Sequence, residues 1–136
     1  VLILEDDADL RDILVLALGE HDGFEVETVA DVETCLDRLQ ARADGEDTAP
    51  FDVLLLDVVL QRGHLGTEVL REALTDGTSL RLPPVIVCTA HSSAWLAMHA
   101  PEIAASKAHL LGKPFDIDDL ESQLRAAASV RVAAGR

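Results

Sequence analysis

The sequence predicts a single doubly wound α/β domain, and three observations carry that prediction. Five short β-compatible runs alternate with helical patterns along the 136 residues, which calls for a parallel sheet with helices on both faces. The run Phe51-Asp52-Val53-Leu54-Leu55-Leu56-Asp57 holds four consecutive aliphatics without alternation, as a strand covered on both faces does. Several of the runs end on a carboxylate, a hydroxyl or a lysine, at the sheet edge where open α/β folds bind their ligands.

The first run, Val1-Leu2-Ile3-Leu4, is wholly apolar and ends in Glu5-Asp6-Asp7. Because Val1 already lies inside a strand pattern, a short N-terminal segment, at least a Met, is expected to precede it. From Ala8 to about Glu20, residues Leu10, Ile13, Leu14, Ala17 and Leu18 recur at helical spacing, with Asp7 or Asp9 as cap. After Asp22-Gly23, Glu25 to Val29 alternates polar and apolar, which predicts a strand with one wet face or an edge position. A helix is expected over Asp31 to Arg42, with Asp31 as cap and Val32, Cys35, Leu36 and Leu39 on one stripe. Ala43 to Pro50 reads as a polar loop.

Beyond Asp57, the segment Val58 to Gly66 carries glycines at 63 and 66 and no helical stripe, which predicts a loop over the sheet's carboxyl edge. Thr67 to Leu74 is a short helix. Pro83-Pro84 leads into the buried-type strand Val85-Ile86-Val87-Cys88-Thr89. Ser92 to about Ser106 is helical but holds Pro101, which is expected to kink it or start a new turn. His109 to Gly112 is a short strand, Lys113-Pro114-Phe115 a loop, and Asp116 to Ala128 a helix capped by Asp116. Residues 1–128 thus form the domain, and 129–136 a C-terminal tail or the start of a linker.

The half-polar second strand and the short fifth suit edges, and the apolar first, third and fourth suit the interior. With right-handed crossovers, the order 2-1-3-4-5 satisfies this most simply and sets the first and third strands side by side at the switch point.

Acidic residues outnumber basic ones by 25 to 11, a formal charge of −14, which repels phosphate backbones and argues against direct nucleic-acid binding. No stretch approaches the ~18 apolar residues that cross a bilayer, so no membrane role is expected. The two cysteines, Cys35 and Cys88, suit reduced core thiols in a cytoplasmic protein, with a Cys35–Cys88 disulfide left open. His21, His64, His91, His99 and His109 show no metal-ligand spacing, and of these His91 stands out because it follows Thr89 by two residues. Trp95 and Met98 read as packing residues.

The predicted order brings four strand ends to one edge: Glu5-Asp6, Asp57, Thr89-Ala90 and Lys113-Pro114. Singly, each has a structural explanation, such as a turn aspartate or a solvated loop lysine. Jointly they make the chain resemble the response-regulator receiver domain, from Val1 to about Ala128. The resemblance implies a flavodoxin-like (βα)5 fold and a phosphoryl-accepting switch of a two-component system, not a turnover enzyme. Asp57 is then the phosphorylation site, a carboxylate nucleophile that forms an acyl phosphate. Mg2+ would be bound by Asp6, Asp57 and the carbonyl of Val59, with Glu5 acting through water, as suits a cation that prefers oxygen ligands and retains waters. Thr89, Ala90 and Lys113 would stabilise the phosphoryl group, and the Lys113-Pro114 bond would be cis. The implied partners are a histidine kinase or histidine phosphotransfer protein and an unknown downstream protein, and the resemblance leaves room for a homodimer.

The chain departs from the family pattern at three places. Gln61 replaces the usual proline four residues after the phosphorylated aspartate, Gly66 comes one residue late, and Leu110 stands where an aromatic ring normally changes rotamer on activation. Leu110 is therefore an atypical switch position, and the outward route of the signal is expected to differ. Two alternatives follow: a pseudo-receiver that docks partners without phosphorylation, and a Mg2+-dependent phosphohydrolase of the haloacid-dehalogenase kind. The latter wants a second Asp at the position of Val59.

Overall fold

The computed structural model describes residues 1–22, 24–43, 51–58, 60, 65–75 and 82–134. Its strands are β1 (Leu2–Leu4), β2 (Glu27–Val29), β3 (Leu54–Asp57), β4 (Val85–Thr89) and β5 (His109–Gly112). Interleaved with them are α1 (Ala8–Asp22), α2 (Val32–Ala43), α3 (Glu68–Ala73), α4 (Ser93–His99), α5 (Glu102–Ser106) and α6 (Ile117–Ala134). All pairings are parallel and the order is β2-β1-β3-β4-β5, as the strand polarity pattern predicts.

Side chains on a strand point alternately to opposite faces, so the unbroken apolar runs feed two cores at once. Leu2, Leu4, Leu54, Leu56, Val85 and Val87 face one way, onto Cys35 and Leu39 of α2, Val69 and Leu70 of α3, Leu96 of α4 and Ile103 of α5. Ile3, Val53, Leu55, Ile86, Cys88 and Leu111 face the other, onto Leu14 and Leu18 of α1 and Leu120, Leu124 and Ala127 of α6. Burying a side chain of this size contributes roughly 1.5–3 kcal/mol, so the two layers hold the sheet between them and keep its carboxyl edge in place. Cys35 and Cys88 are free thiols in opposite layers, which removes the disulfide alternative. Burial pushes both thiols up to about 12.

The helix starts follow local chemistry. The Asp7 carboxylate accepts from the Asp9 and Leu10 amides at 2.9 and 3.2 Å, so Asp7 rather than Asp9 caps α1. Asp31 accepts from Thr34 N–H at 2.7 Å and Asp116 from Asp119 N–H at 2.8 Å, as predicted. Pro101 divides the Ser92 to Ser106 segment into α4 and α5, with Ala100 between them at φ −142°, ψ 58°.

Two expectations need correction. Ile13 does not join the buried stripe of α1 and is 54% exposed. At about 100° per residue it falls on the flank of the arc centred between Leu14 and Leu18. The last helix does not stop at Ala128 but runs to Ala134, because no proline or glycine interrupts it before Gly135.

Candidate functional site

Four loops converge where β1 and β3 part company with their crossovers. The Glu5 amide donates to the Val29 carbonyl at 3.0 Å, which carries the β1 backbone one residue past the strand. Arg11, one turn into α1, donates from Nη1 to the Glu5 carbonyl at 2.8 Å and so fixes the acidic loop from behind. Glu5 Oε2 accepts from the Asp6 amide at 3.0 Å. Asp57, the last residue of β3, lies in register with Cys88 of β4.

One oxygen from each of Glu5, Asp6 and Asp57 can be chosen so that all three lie within 4.8 Å of one another. Glu5 is buried, and its carboxyl is pushed up to about 7 by that burial, and further by a hydrogen bond to Asp57 and its charge. Lys113 Nζ donates to Asp57 Oδ1 at 2.8 Å, reaching it from the far side of β4. Burial alone would lower the Lys113 pKa, but the hydrogen bond and charge of Asp57, followed by the charge of Glu5, outweigh it and raise it. The lysine therefore stays an ammonium against the carboxylate cluster.

The Lys113 amide donates to the Thr89 carbonyl at 2.8 Å, which sets the lysine beside the end of β4, and the Lys113-Pro114 bond is cis. Thr89 Oγ1 accepts from the His91 amide at 2.9 Å. Asp57, Val58, Thr89, Ala90, His91 and Lys113 line an open cleft of about 130 Å³. Every strand-end residue singled out in the sequence is thus brought to this edge except Val59, which lies outside the described residues together with Gln61 and His64. Leu110 lies one strand away on β5, 46% exposed and not part of the cleft.

Reading the sequence did not single out Arg11, nor the work done by Gly66. The Gly66 amide donates to the Val58 carbonyl at 2.8 Å, and its Cα faces the backbone of Asp57 so closely that any Cβ would overlap the Asp57 carbonyl oxygen. A glycine a few residues beyond a strand-end acid is a detectable signal for such a close approach, whereas a single arginine on a charged helix is not.

The donor set suits a hard divalent cation. All three groups are carboxylates, Glu5 is raised first by burial and then by its hydrogen bond to Asp57 and the Asp57 charge, and Asp57 retains an oxygen that Lys113 does not engage.

Comparison with known proteins agrees with this geometry. The model of the response regulator receiver domain family matches residues 1–125. The response regulator receiver protein CpdR of Brucella abortus is 30% identical over 124 residues, covering 91% of this chain and 92% of that protein. The uncharacterized transcriptional regulatory protein YkoG of Bacillus subtilis is 35% identical over 128 residues, 93% of this chain and 50% of its own length. The chain spans about half the length of the transcriptional regulators it matches. Among solved structures, the receiver domain of NtrX from Brucella abortus superposes with a TM-score of 0.71 at 24% identity, over 94% of this chain and 97% of that one. With the receiver model covering nearly its whole length, the chain belongs to the response regulator receiver domain family of two-component signalling.

Proposed function

We propose that this domain is a phosphoryl-accepting switch and that Asp57 is its acceptor, supplied by a histidine kinase or histidine phosphotransfer protein. The observation that carries the reading is the single lysine held 2.8 Å from a strand-end aspartate, with Glu5 and Asp6 beside that aspartate. A carboxylate oxygen of Asp57 attacks phosphorus, an O–P bond forms, and the P–N bond of the phosphohistidine donor breaks as the departing nitrogen keeps its electron pair. The Lys113 ammonium faces the oxygens that carry the charge, and the Thr89 hydroxyl and the Ala90 amide lie at the rim where a phosphoryl oxygen needs donors. Glu5, Asp6 and Asp57, with the Val59 carbonyl, would hold Mg2+, which supplies positive charge to the transferring group when bound. No general base is needed, because a carboxylate oxygen attacks without giving up a proton.

The formal charge of −14 makes a nucleic acid an unfavourable direct partner of this domain, so the output passes through a downstream protein or a second copy in a homodimer. Free, buried thiols fit a cytoplasmic setting, and no helix of the described residues is long and apolar enough to cross a membrane. The test is phosphate uptake from acetyl phosphate with Mg2+, read by intact mass. One phosphoryl group is expected on the native sequence and none on Asp57→Asn. Equal uptake by the variant would overturn the assignment, and no uptake by either would leave the docking-only pseudo-receiver.

A further inference from the structure

We infer that the ring stack His91–Trp95–His99 carries the state of the Asp57 cleft to the exposed face of α4, a task for which Leu110 on β5 has no ring. The inference rests on the reading of Asp57 as the phosphoryl acceptor. Its starting point is that His91 belongs to two structures at once. The residue lines the cleft together with Asp57, Thr89 and Lys113. Its imidazole also lies flat on the Trp95 indole, with centroids 3.8 Å apart and planes inclined by 12°. Trp95 in turn meets His99 at 4.5 Å and 32°. Trp95 and His99 lie four residues apart on one face of α4, and His91, just ahead of the helix, stacks on Trp95, so the rings run from the cleft to the far end of the helix.

The row is tied to the cleft through a specific atom. Thr89 Oγ1 accepts the His91 amide at 2.9 Å, and a hydroxyl can accept that bond while donating its own proton to an anion. A phosphoryl oxygen beside Asp57 that recruits the Thr89 hydroxyl therefore pulls on the His91 backbone. His91 immediately precedes Ser92, the N-cap of α4, whose Oγ accepts from Trp95 N–H at 3.2 Å, so the start of the helix and the indole move with it. Trp95 packs against the core layer under α4, which limits how the ring can respond, whereas His91 and His99 are exposed. The face that changes includes Met98, 78% exposed one turn from Trp95. Leu110, exposed on β5 and without a ring, offers no competing lever.

Trp95 is the only tryptophan and the chain has no tyrosine, so its emission reads the stack directly. The experiment titrates the chain with beryllofluoride and Mg2+, following fluorine NMR for the bound anion, tryptophan emission for Trp95 and proton NMR for the imidazole of His99. Bound fluorine signals accompanied by a saturable shift in both Trp95 and His99 are expected. In Trp95→Leu, where Thr89 and every residue lining the cleft remain but the middle ring is gone, bound fluorine should persist while the His99 response is lost. Bound fluorine with unmoved Trp95 and His99 would overturn the inference and leave the acceptor reading intact. An undiminished His99 response in Trp95→Leu would overturn it too, by showing that the signal bypasses the stack. Absence of bound fluorine would remove the acceptor reading and the inference with it.

Discussion

Glu5 and Gly66 show how single residues set the chemistry of the edge. Glu5 is 5% exposed and its carboxyl lies at about 7 in the native state, against 4.5 when unconstrained. A raised carboxyl means that between these values the native state holds a proton the unfolded chain has released, so native stability falls as pH rises through the window and stays low above it. In chelator, the native sequence should lose more stability between pH 5 and pH 8 than Glu5→Gln does, measured by urea midpoints. Equal slopes for the two proteins would show that Glu5 is not the strained group. Gly66 works by absence of a side chain. Because a Cβ there overlaps the Asp57 carbonyl oxygen, Gly66→Ala must push apart the β3 end and the turn before α3. Overpacking typically costs about 1–3 kcal/mol, and a backbone neighbour that cannot turn aside puts this variant at the upper end of that range. A urea midpoint within error of the native one would refute the close approach. The acid-rich strand ends were legible because they close short apolar runs whose length and bounding turn residues suit buried strands. Arg11 was not, since its role is to satisfy a backbone carbonyl, and backbone partners leave no mark in a pattern of side chains.

At the level of elements, patterns of hydropathy named the faces of strands better than those of helices. Side chains of a strand alternate strictly between two faces, so an unbroken aliphatic run bounded by turn residues reads as a strand covered on both, and the order β2-β1-β3-β4-β5 followed from right-handed crossovers and from which runs were solid and which half-polar. A helix offers a wide arc, and α1 carries apolar residues over most of its circumference, among them Val15 and Leu16 on the solvent side. Five positions fitted the stripe by spacing, yet only Leu14 and Leu18 are fully enclosed, beneath the second core layer. The consequence is measurable. Leu18→Ala should cost about 2–5 kcal/mol, whereas Ile13→Ala should stay within about 0.5 kcal/mol of the native protein. Thermal or urea denaturation of the two variants decides it, and comparable losses would place α1 with a different face inward. The end of α6 was missed for a related reason. Helix stops are read from glycine and proline, and the stretch after Ala128 has neither until Gly135, so composition alone supplied no boundary.

For the whole molecule, fold and site are one design, since the same parallel order that buries two layers also gathers the carboxylates whose repulsion the fold must bear. Glu5, Asp6 and Asp57 come from β1 and β3 and meet only when those strands pair. In the unfolded chain Asp57 is separated from the other two by some fifty residues and feels little of them. A divalent cation that engages all three therefore binds the native state alone and stabilises it by mass action, by RT ln(1 + [L]/Kd), or about 1.4 kcal/mol at tenfold excess over Kd. The formal charge of −14 adds a diffuse attraction for any cation, which ordinary salt screens and the pocket does not depend on. Mg2+ should thus raise the melting temperature of the native sequence at fixed ionic strength, in a saturable way. Asp6→Ala should abolish the increment by removing a donor, while Asp9→Ala, an exposed acid in the first turn of α1, should keep it. A native melting temperature that does not respond to Mg2+, or an Asp6→Ala protein that responds in full, would mean that the three carboxylates meet without forming a cation site.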